Sequence, residues 1–300
     1  MNNLPLVTVV VVNRNYACYL PECVESVLGQ TYRSMEVIVV DDGSTDDSLN
    51  VLKRYQRCLR VIQQPNRGVS AARNTGISAS AGKWVAFLDS DDAWRPEKLQ
   101  QQSKYFQDSS VGMVFSGVEY IDHSGCSLGY TSPEISNDIL PQLVTFAPLT
   151  IAGGSTAVVR VDCLRDLGGF DEKLSTSADL DMWIRIAAQH EIRAVAAPLV
   201  KCRRHASSMS LNTALFEHDN YRLLTKVFSS PHCRHIYHLK RQSLGKFYMV
   251  LAGSFFWERQ LYRAMRSALK ALFYRPSELK YLLGLPLRLL RRIDGRRAVR

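Results

Sequence analysis

Two aspartates stand two residues apart in Asp89-Ser90-Asp91, directly after the apolar run Trp84 to Leu88. Carboxylates at that spacing at a strand end offer hard oxygen ligands for Mg²⁺ or Mn²⁺ against a diphosphate. The plainer alternative is a capping acid ahead of the helix expected near Pro96. A second acidic pair, Asp41-Asp42, opens the turn DDGS, and Asp46-Asp47 read as N-cap and first-turn acids of the next helix. Neither cluster alternates acids with a glycine at the sixth place and a glutamate at the twelfth, which excludes a calcium loop. His232, Cys233, His235 and His238 have no second ligand pair at zinc-finger distance and read as turn and helix surface.

These residues depend on the elements that carry them. Val7 to Val12, Glu36 to Val40, Leu59 to Gln63 and Trp84 to Leu88 are strand candidates, and they alternate with helical spacings at Leu20, Val24, Val27 and Leu28 and at Leu49, Leu52 and Tyr55. Continuous apolar strands alternating with helices predict right-handed βαβ units and a parallel sheet covered on both faces. Ligands of such sheets bind outside the carboxyl ends of the strands. Asn13, Arg14 and Asn15 follow the first strand and Asp41-Asp42 the second, while Asn66-Arg67-Gly68 and Ala72-Arg73-Asn74 follow the third and Asp89 to Asp92 the fourth. All four polar clusters are expected on one edge. Downstream, Val111 to Ile121, Thr150 to Val161 and Arg193 to Val200 read as strands, Val161 to Leu167 and Asp179 to Gln189 as helices, and Leu211 to Phe273 as mostly helical.

The ordered set VVVVNRNYACYLPECVESVLGQTY, EVIVVDDGSTDDS and NRGVSAARNTGISASAGKWVAFLDSDDAWRPEKL resembles the nucleotide-sugar-binding half of the family 2 inverting glycosyltransferases, of the bacterial surface-polysaccharide type. The likeness is dense from residue 5 to about 100 and looser to about 210. It implies an α/β chain of the GT-A type, with a mostly parallel Rossmann-like sheet flanked by helices and a C-terminal helical extension. It also implies a UDP-sugar donor, with Asp42 of the Asp41-Asp42 turn reading the base, Asn13 near the base and Arg73 near the nucleotide. Asp89 would lie by the ribose and Asp91 would ligate a divalent metal, Mn²⁺ or Mg²⁺. The first loop departs from the family's P-x-Y-N pattern, with Val12 for Pro and Arg14 for Tyr. In LGGFDEKLSTSADLDMW, Asp179 matches the general base of the family, with Ala178 in place of the usual Glu and Trp183 offered as a sugar-stacking surface. Asp179 as an N-cap is the alternative and is compatible with catalysis. CRRHASSMS resembles the family element in which Arg203 or Arg204, together with His205, meets the departing diphosphate; a solvated basic loop is the alternative.

The net charge of +10 is unevenly spread. Residues 1–200 hold 17 basic and 23 acidic side chains, and residues 201–300 hold 21 and 5. The expected organisation is a catalytic domain over 1–210, with nucleotide-sugar-binding and acceptor halves meeting near residue 100, and a basic extension over 211–300. Leu282, Leu285, Leu289, Leu290 and Ile293 fall at near-helical spacing among arginines, as an interfacial helix on anionic lipid would, or a helix packed on the body with a solvated basic side. That suits an acceptor that is a glycan or a lipid-linked glycan, and a cytoplasmic enzyme peripheral to the inner face of the plasma membrane. Seven scattered cysteines argue for a reducing compartment, the run Leu4 to Val12 is too short and badly flanked for targeting, and no apolar stretch is long enough to span a bilayer. Two other readings compete. A sugar-phosphate nucleotidyltransferase would need a glycine-rich opening loop, yet no glycine precedes Gly29. A nucleic-acid-binding protein would use the basic tail but leaves the carboxylates unexplained, so no nucleic-acid partner is expected. A dinucleotide fold is disfavoured because no G-x-G-x-x-G follows the first strand.

Overall fold

The structure is a computed structural model that describes residues 4–133, 139–146, 153–205, 209 and 212–279. The first half runs β1 (Val7–Asn13), α1 (Leu20–Leu28), β2 (Met35–Asp42), α2 (Ser48–Lys53), β3 (Arg60–Gln64), α3 (Val69–Ala79), β4 (Trp84–Asp89), β5 (Ala93–Trp94) and α4 (Lys98–Gln102). It continues through β6 (Val111–Ile121), β7 (Ser127–Thr131), α5 (Leu140–Val144), β8 (Val158–Arg160), α6 (Val161–Asp166), α7 (Ala178–Ala187) and β9 (Glu191–Arg203). Helices α8 (Thr213–Val227), α9 (Lys240–Trp257) and α10 (Leu261–Tyr274) follow, with a 3₁₀ segment at Pro231–Leu239 between the first two.

The strands form one sheet in the order β3-β2-β1-β4-β8-β6-β9-β5, with β7 beside β6. The pairs β3-β2, β2-β1 and β1-β4 are parallel, as the alternation of strands and helices predicts. Beyond β4 the sheet is mixed: β8 is antiparallel to both β4 and β6, while β6 and β9 run parallel. The β-branched run of β1 is buried on both faces because side chains alternate along a strand. Val10 and Val12 join Ile38, Val40, Val85 and Phe87 in one layer, while Val9 and Val11 join Val37, Val39, Ala86 and Leu88 in the other. Helices α1 and α2 cover the second layer through Leu20, Val24, Val27, Val51 and Leu52. The first layer is covered by α3 and α7, and it extends without a break to Leu223 and Leu224 of α8 and to Phe247, Leu251 and Phe255 of α9.

Three element boundaries differ from the sequence reading. Of the strand expected over Thr150 to Val161, only Val158–Arg160 is extended, because Gly154–Thr156 winds into a 3₁₀ turn; residues 150–152 lie outside the described residues. The last strand of the body is longer than expected, Glu191–Arg203, since it pairs β6 along almost its whole length. The helix near Pro96 starts only at Lys98, too far along for Asp89 or Asp91 to cap it. The expected helix over 282–293 lies outside the described residues.

Helix α3 seats on β1 at Gly76, where a Cβ would stand 2.3 and 2.9 Å from the two methyls of Val10. Gly253 in α9 has no atom within 4 Å of the same position. Gly76→Ala is therefore expected to lose about 1–3 kcal/mol through overpacking, and Gly253→Ala to be neutral or to gain up to about 1 kcal/mol. Urea unfolding of the two variants measures the difference.

Candidate active site at the carboxyl edge of the sheet

Parallel register brings the polar strand ends together. Asn13 lies opposite Asp41, and Val12 lies opposite both Val40 and Asp89. Four groups of side chains result.

The first latches the β1 and β2 loops. Asn13 Nδ2 donates to Asp41 Oδ2 at 2.8 Å and to Ser44 Oγ at 3.1 Å, and Ser44 N donates to Asp41 Oδ1 at 2.9 Å. Asn13 and Asp41 are buried, and among the described residues Asn13 Oδ1 has no hydrogen-bond partner. The second group centres on Asp42, which is buried and takes N–H donors from Gln64 (2.7 Å), Arg67 (2.9 Å) and Gly68 (2.8 Å). Asp42 thus fixes the loop ahead of α3, where Gly68 adopts φ +89°, a conformation that glycine takes without strain.

The third group is a fork. Arg73 projects from α3 and is 3% exposed; its Nη2 donates to Asp89 Oδ1 at 3.0 Å and its Nη1 to Asp179 Oδ1. The guanidinium passes over Gly154, where a Cβ would stand 2.9 Å from Nη2, and lies 5.3 Å from the centre of the Phe170 ring. Asp179 sits in the first turn of α7, two residues past the N-cap position at Ser177, so it is not the cap of this helix. Burial pushes the Asp179 carboxyl above its usual range. Arg73 opposes the shift, the charge of Asp89 adds to it, and a backbone hydrogen bond with Gly154 also opposes it.

The fourth group surrounds Asp91. His205 Nε2 lies 2.9 Å from Asp91 Oδ2, and the imidazole stacks on Tyr19 and meets Tyr16 edge-on. Burial and then the charge of Asp89 raise the Asp91 carboxyl, while His205 lowers it. Asp92 is buried deeper, accepting from Ser155 Oγ at 2.6 Å and from Arg203 N at 2.8 Å, and its carboxyl is held well above the ordinary range by burial and its two acidic neighbours. Tyr16 faces the same charges; burial first and then Asp91 and Asp89 push its hydroxyl up to about 12. Such mutual elevation marks uncompensated negative charge, the setting in which a divalent cation binds. Among the described residues no three His, Cys, Asp or Glu side chains are placed to enclose an ion. Asp91 with Asp89 fits the other common arrangement, one or two carboxylates completed by phosphate oxygens and water.

The remaining candidates separate. Arg203 is buried and structural: its Nε donates to Asp91 O at 3.0 Å, its Nη1 to Asp122 O at 3.1 Å, its Nη2 pairs with Glu22, and its plane lies over Tyr19. Arg204 is exposed and lies 4.0 Å over the Tyr120 ring. Trp183 is not a sugar platform: it is 1% exposed and packs edge-on against Phe170, because it lies on the core face of α7. Sequence reasoning placed Asp92 on this edge without a role and missed Tyr16, Ser155 and Asp219. Asp219 of α8 is buried, and its Oδ2 accepts from the backbone N–H of Ser175 and of Thr176, each at 2.8 Å, which fixes the turn that leads into α7 and Asp179. Only Asp92, adjacent to Asp91, had a signal in the sequence.

With this geometry in hand, comparison with known proteins is informative. Residues 8–168 match the family model described as Glycosyl transferase family 2. An uncharacterized glycosyltransferase of Rickettsia felis is 31% identical over 212 residues, which cover 69% of this chain and 35% of that protein, so the chain spans about a third of that relative's length. Two solved structures share the GT-A fold. One is TarS 1-349 of S. aureus in complex with UDP-GlcNAc (TM-score 0.62, 18% identity, 93% of this chain and 92% of that one). The other is the mannosyltransferase PcManGT of Pyrobaculum calidifontis in complex with GDP-Man and Mn²⁺ (TM-score 0.62, 21% identity, 96% and 81%). Since the family match covers more than half of the sequence and falls on the strands and loops that build the acidic edge, this chain belongs to glycosyl transferase family 2.

Proposed function

We propose that the protein transfers a sugar from a nucleotide-sugar donor, a UDP-sugar, to a hydroxyl of a glycan acceptor that is lipid-linked, with inversion at the anomeric carbon. The observation that carries this reading is the Arg73 fork, which holds a donor-edge acid, Asp89, and an acid in the first turn of the facing helix, Asp179, across one guanidinium. The fold and the donors bound to TarS and PcManGT support it.

The base and ribose would lie along Asn13, the Asp41-Asp42 turn and the Asn66-Arg67-Gly68 loop, with Asp42 as base reader through the pocket it shapes and Asp89 toward the ribose. Asp91 with Asp89 would hold Mn²⁺ or Mg²⁺, which supplies Lewis-acid neutralisation of the diphosphate. Asp179 takes the proton of the acceptor hydroxyl as that oxygen attacks the anomeric carbon from the face opposite the diphosphate. The bond from that carbon to the diphosphate oxygen breaks, and its electron pair leaves with the nucleoside diphosphate. His205 and Arg204 are the basic groups at the end of β9 that would meet the leaving group. In this reading residues 1–210 form the catalytic body and 211–300 an extension that keeps the enzyme at the anionic cytoplasmic face of a membrane. Among the described residues no helix is long and apolar enough to cross a bilayer.

Asp179→Asn is expected to lower transfer by about 10²–10⁴-fold while the thermal shift given by a UDP-sugar panel with Mn²⁺ stays intact; normal turnover would overturn the assignment. Asp91→Ala is expected to lose both transfer and the metal-dependent part of that shift. Because the base acts only when ionised and its carboxyl is raised, kcat/KM should fall with decreasing pH at a midpoint above the ordinary aspartate value of about 3.9. Arg73→Met leaves two carboxylates facing each other. It should cost about 2–3 kcal/mol in urea unfolding, less than a fully buried pair because Asp89 is partly exposed.

A further inference from the structure

The last described helix carries a surface that the site does not use. On α10, Ala264, Ser267 and Ala271 are buried, and α9 is the helix packed against this one. A different side carries Leu261, Tyr262, Met265, Leu269 and Phe273, which are 64, 72, 59, 61 and 73% exposed. At 100° per residue these five fall within roughly 120° of arc and run about 18 Å along the helix. Arg266 and Lys270 border one flank of that stripe, with Arg263 beside them; Arg263 is shared with Glu217 and the Lys270 ammonium lies 4.8 Å from the Tyr248 ring centre. Scattered exposed apolar residues need no explanation, but a continuous stripe bordered by cations does.

We infer that this face of α10 lies in the interface of an anionic lipid bilayer, with the apolar stripe in the acyl boundary and the flanking arginines and lysine at the headgroups. This deepens the membrane-surface reading above by naming the surface, and it does not depend on the transfer chemistry. Two other occupants are disfavoured by charge. A second copy of the face would set like rows of cations together. Residues 280–300, with 7 basic and 1 acidic side chain, would do the same if they folded back on it. An anionic headgroup layer satisfies the cations and the stripe at once.

The test is flotation of the full chain with vesicles of phosphatidylglycerol and phosphatidylcholine, and with phosphatidylcholine alone. The wild type should bind the anionic vesicles at least about tenfold better, and the preference should shrink in high salt. Leu269→Glu/Phe273→Glu should reduce binding at least about tenfold, while its UDP-sugar thermal shift and its unfolding midpoint stay those of the wild type. Trp84, Trp94 and Trp183 are buried and Trp257 is exposed, so in Trp257→Phe/Phe273→Trp the one exposed indole sits on the stripe, and brominated lipid should quench it. The inference is overturned if the wild type shows no preference for anionic vesicles or if the double glutamate variant floats as the wild type does. It is equally overturned if ultracentrifugation shows a wild-type dimer that this variant converts to monomer. Removal of residues 280–300 should leave quenching of the reporter in place; its loss would assign the contact to that segment instead. A failed donor shift with intact flotation would count against the transfer reading alone.

Discussion

One buried guanidinium sets the geometry of this protein. Arg73 is removed from water, and a buried charge is tolerated only when it is paired and hydrogen-bonded. Its two partners come from different elements, Asp89 from the end of β4 and Asp179 from the start of α7. The fork therefore fixes the spacing between the sheet edge and the helix that faces it. Several features serve that fit: Gly154 leaves room where any side chain would collide, Phe170 covers the plane, and Gly76 lets α3 sit tight on Val10 so that the arginine reaches the strand end.

Around the fork the chain divides its charges by role. Arg203 is spent on structure, tying Asp91, Asp122 and Glu22 together beneath Tyr19, and among the described residues the carboxylate of Asp91 has His205 as its side-chain hydrogen-bond partner. Burial holds the Asp92 carboxyl well above the ordinary range, and it accepts from Ser155 Oγ and from the backbone N–H of Arg203. At the end of β4 this leaves Asp89, shared with Arg73, and Asp91, shared with His205, as the acidic edge that a metal and a diphosphate would meet in the proposed reaction. The Asp179 side is held from farther away. Asp219 on α8 clamps the turn before α7, so a helix from the C-terminal third contributes to the placement of Asp179.

The parallel half of the fold was legible because a strand buried on both faces must be apolar along almost its whole length, and Trp84 to Leu88 is, as is Val7 to Val12 except for Thr8, whose hydroxyl donates to Glu36. The acids that follow those strands were legible for the same reason, since a strand end fixes where its next residues lie. The partners of those acids were not. Asp41, Asp42 and Asn13 look alike as polar loop residues, and only the tertiary register shows that Asn13 and Asp41 bind each other while Asp42 holds the α3 loop. Arg203 and Arg204 are indistinguishable in a basic run, yet one turns inward at a strand end and the other lies on Tyr120. Trp183 follows an acidic motif but falls on the core face of its helix, a matter of phase that one residue's type does not reveal. Asp219 is 40 residues from Asp179, and nothing local marks it.

Our proposal is that Arg73 holds a donor-edge acid, Asp89, and a base, Asp179, on its two arms, and a crystal structure with a nucleotide sugar and Mn²⁺ tests that most directly. It predicts the diphosphate at Asp91 and His205, the anomeric carbon turned toward Asp179, and Arg73 still between Asp89 and Asp179. A nucleotide bound away from the ends of β1, β2 and β4, or an anomeric carbon facing away from Asp179, would contradict it.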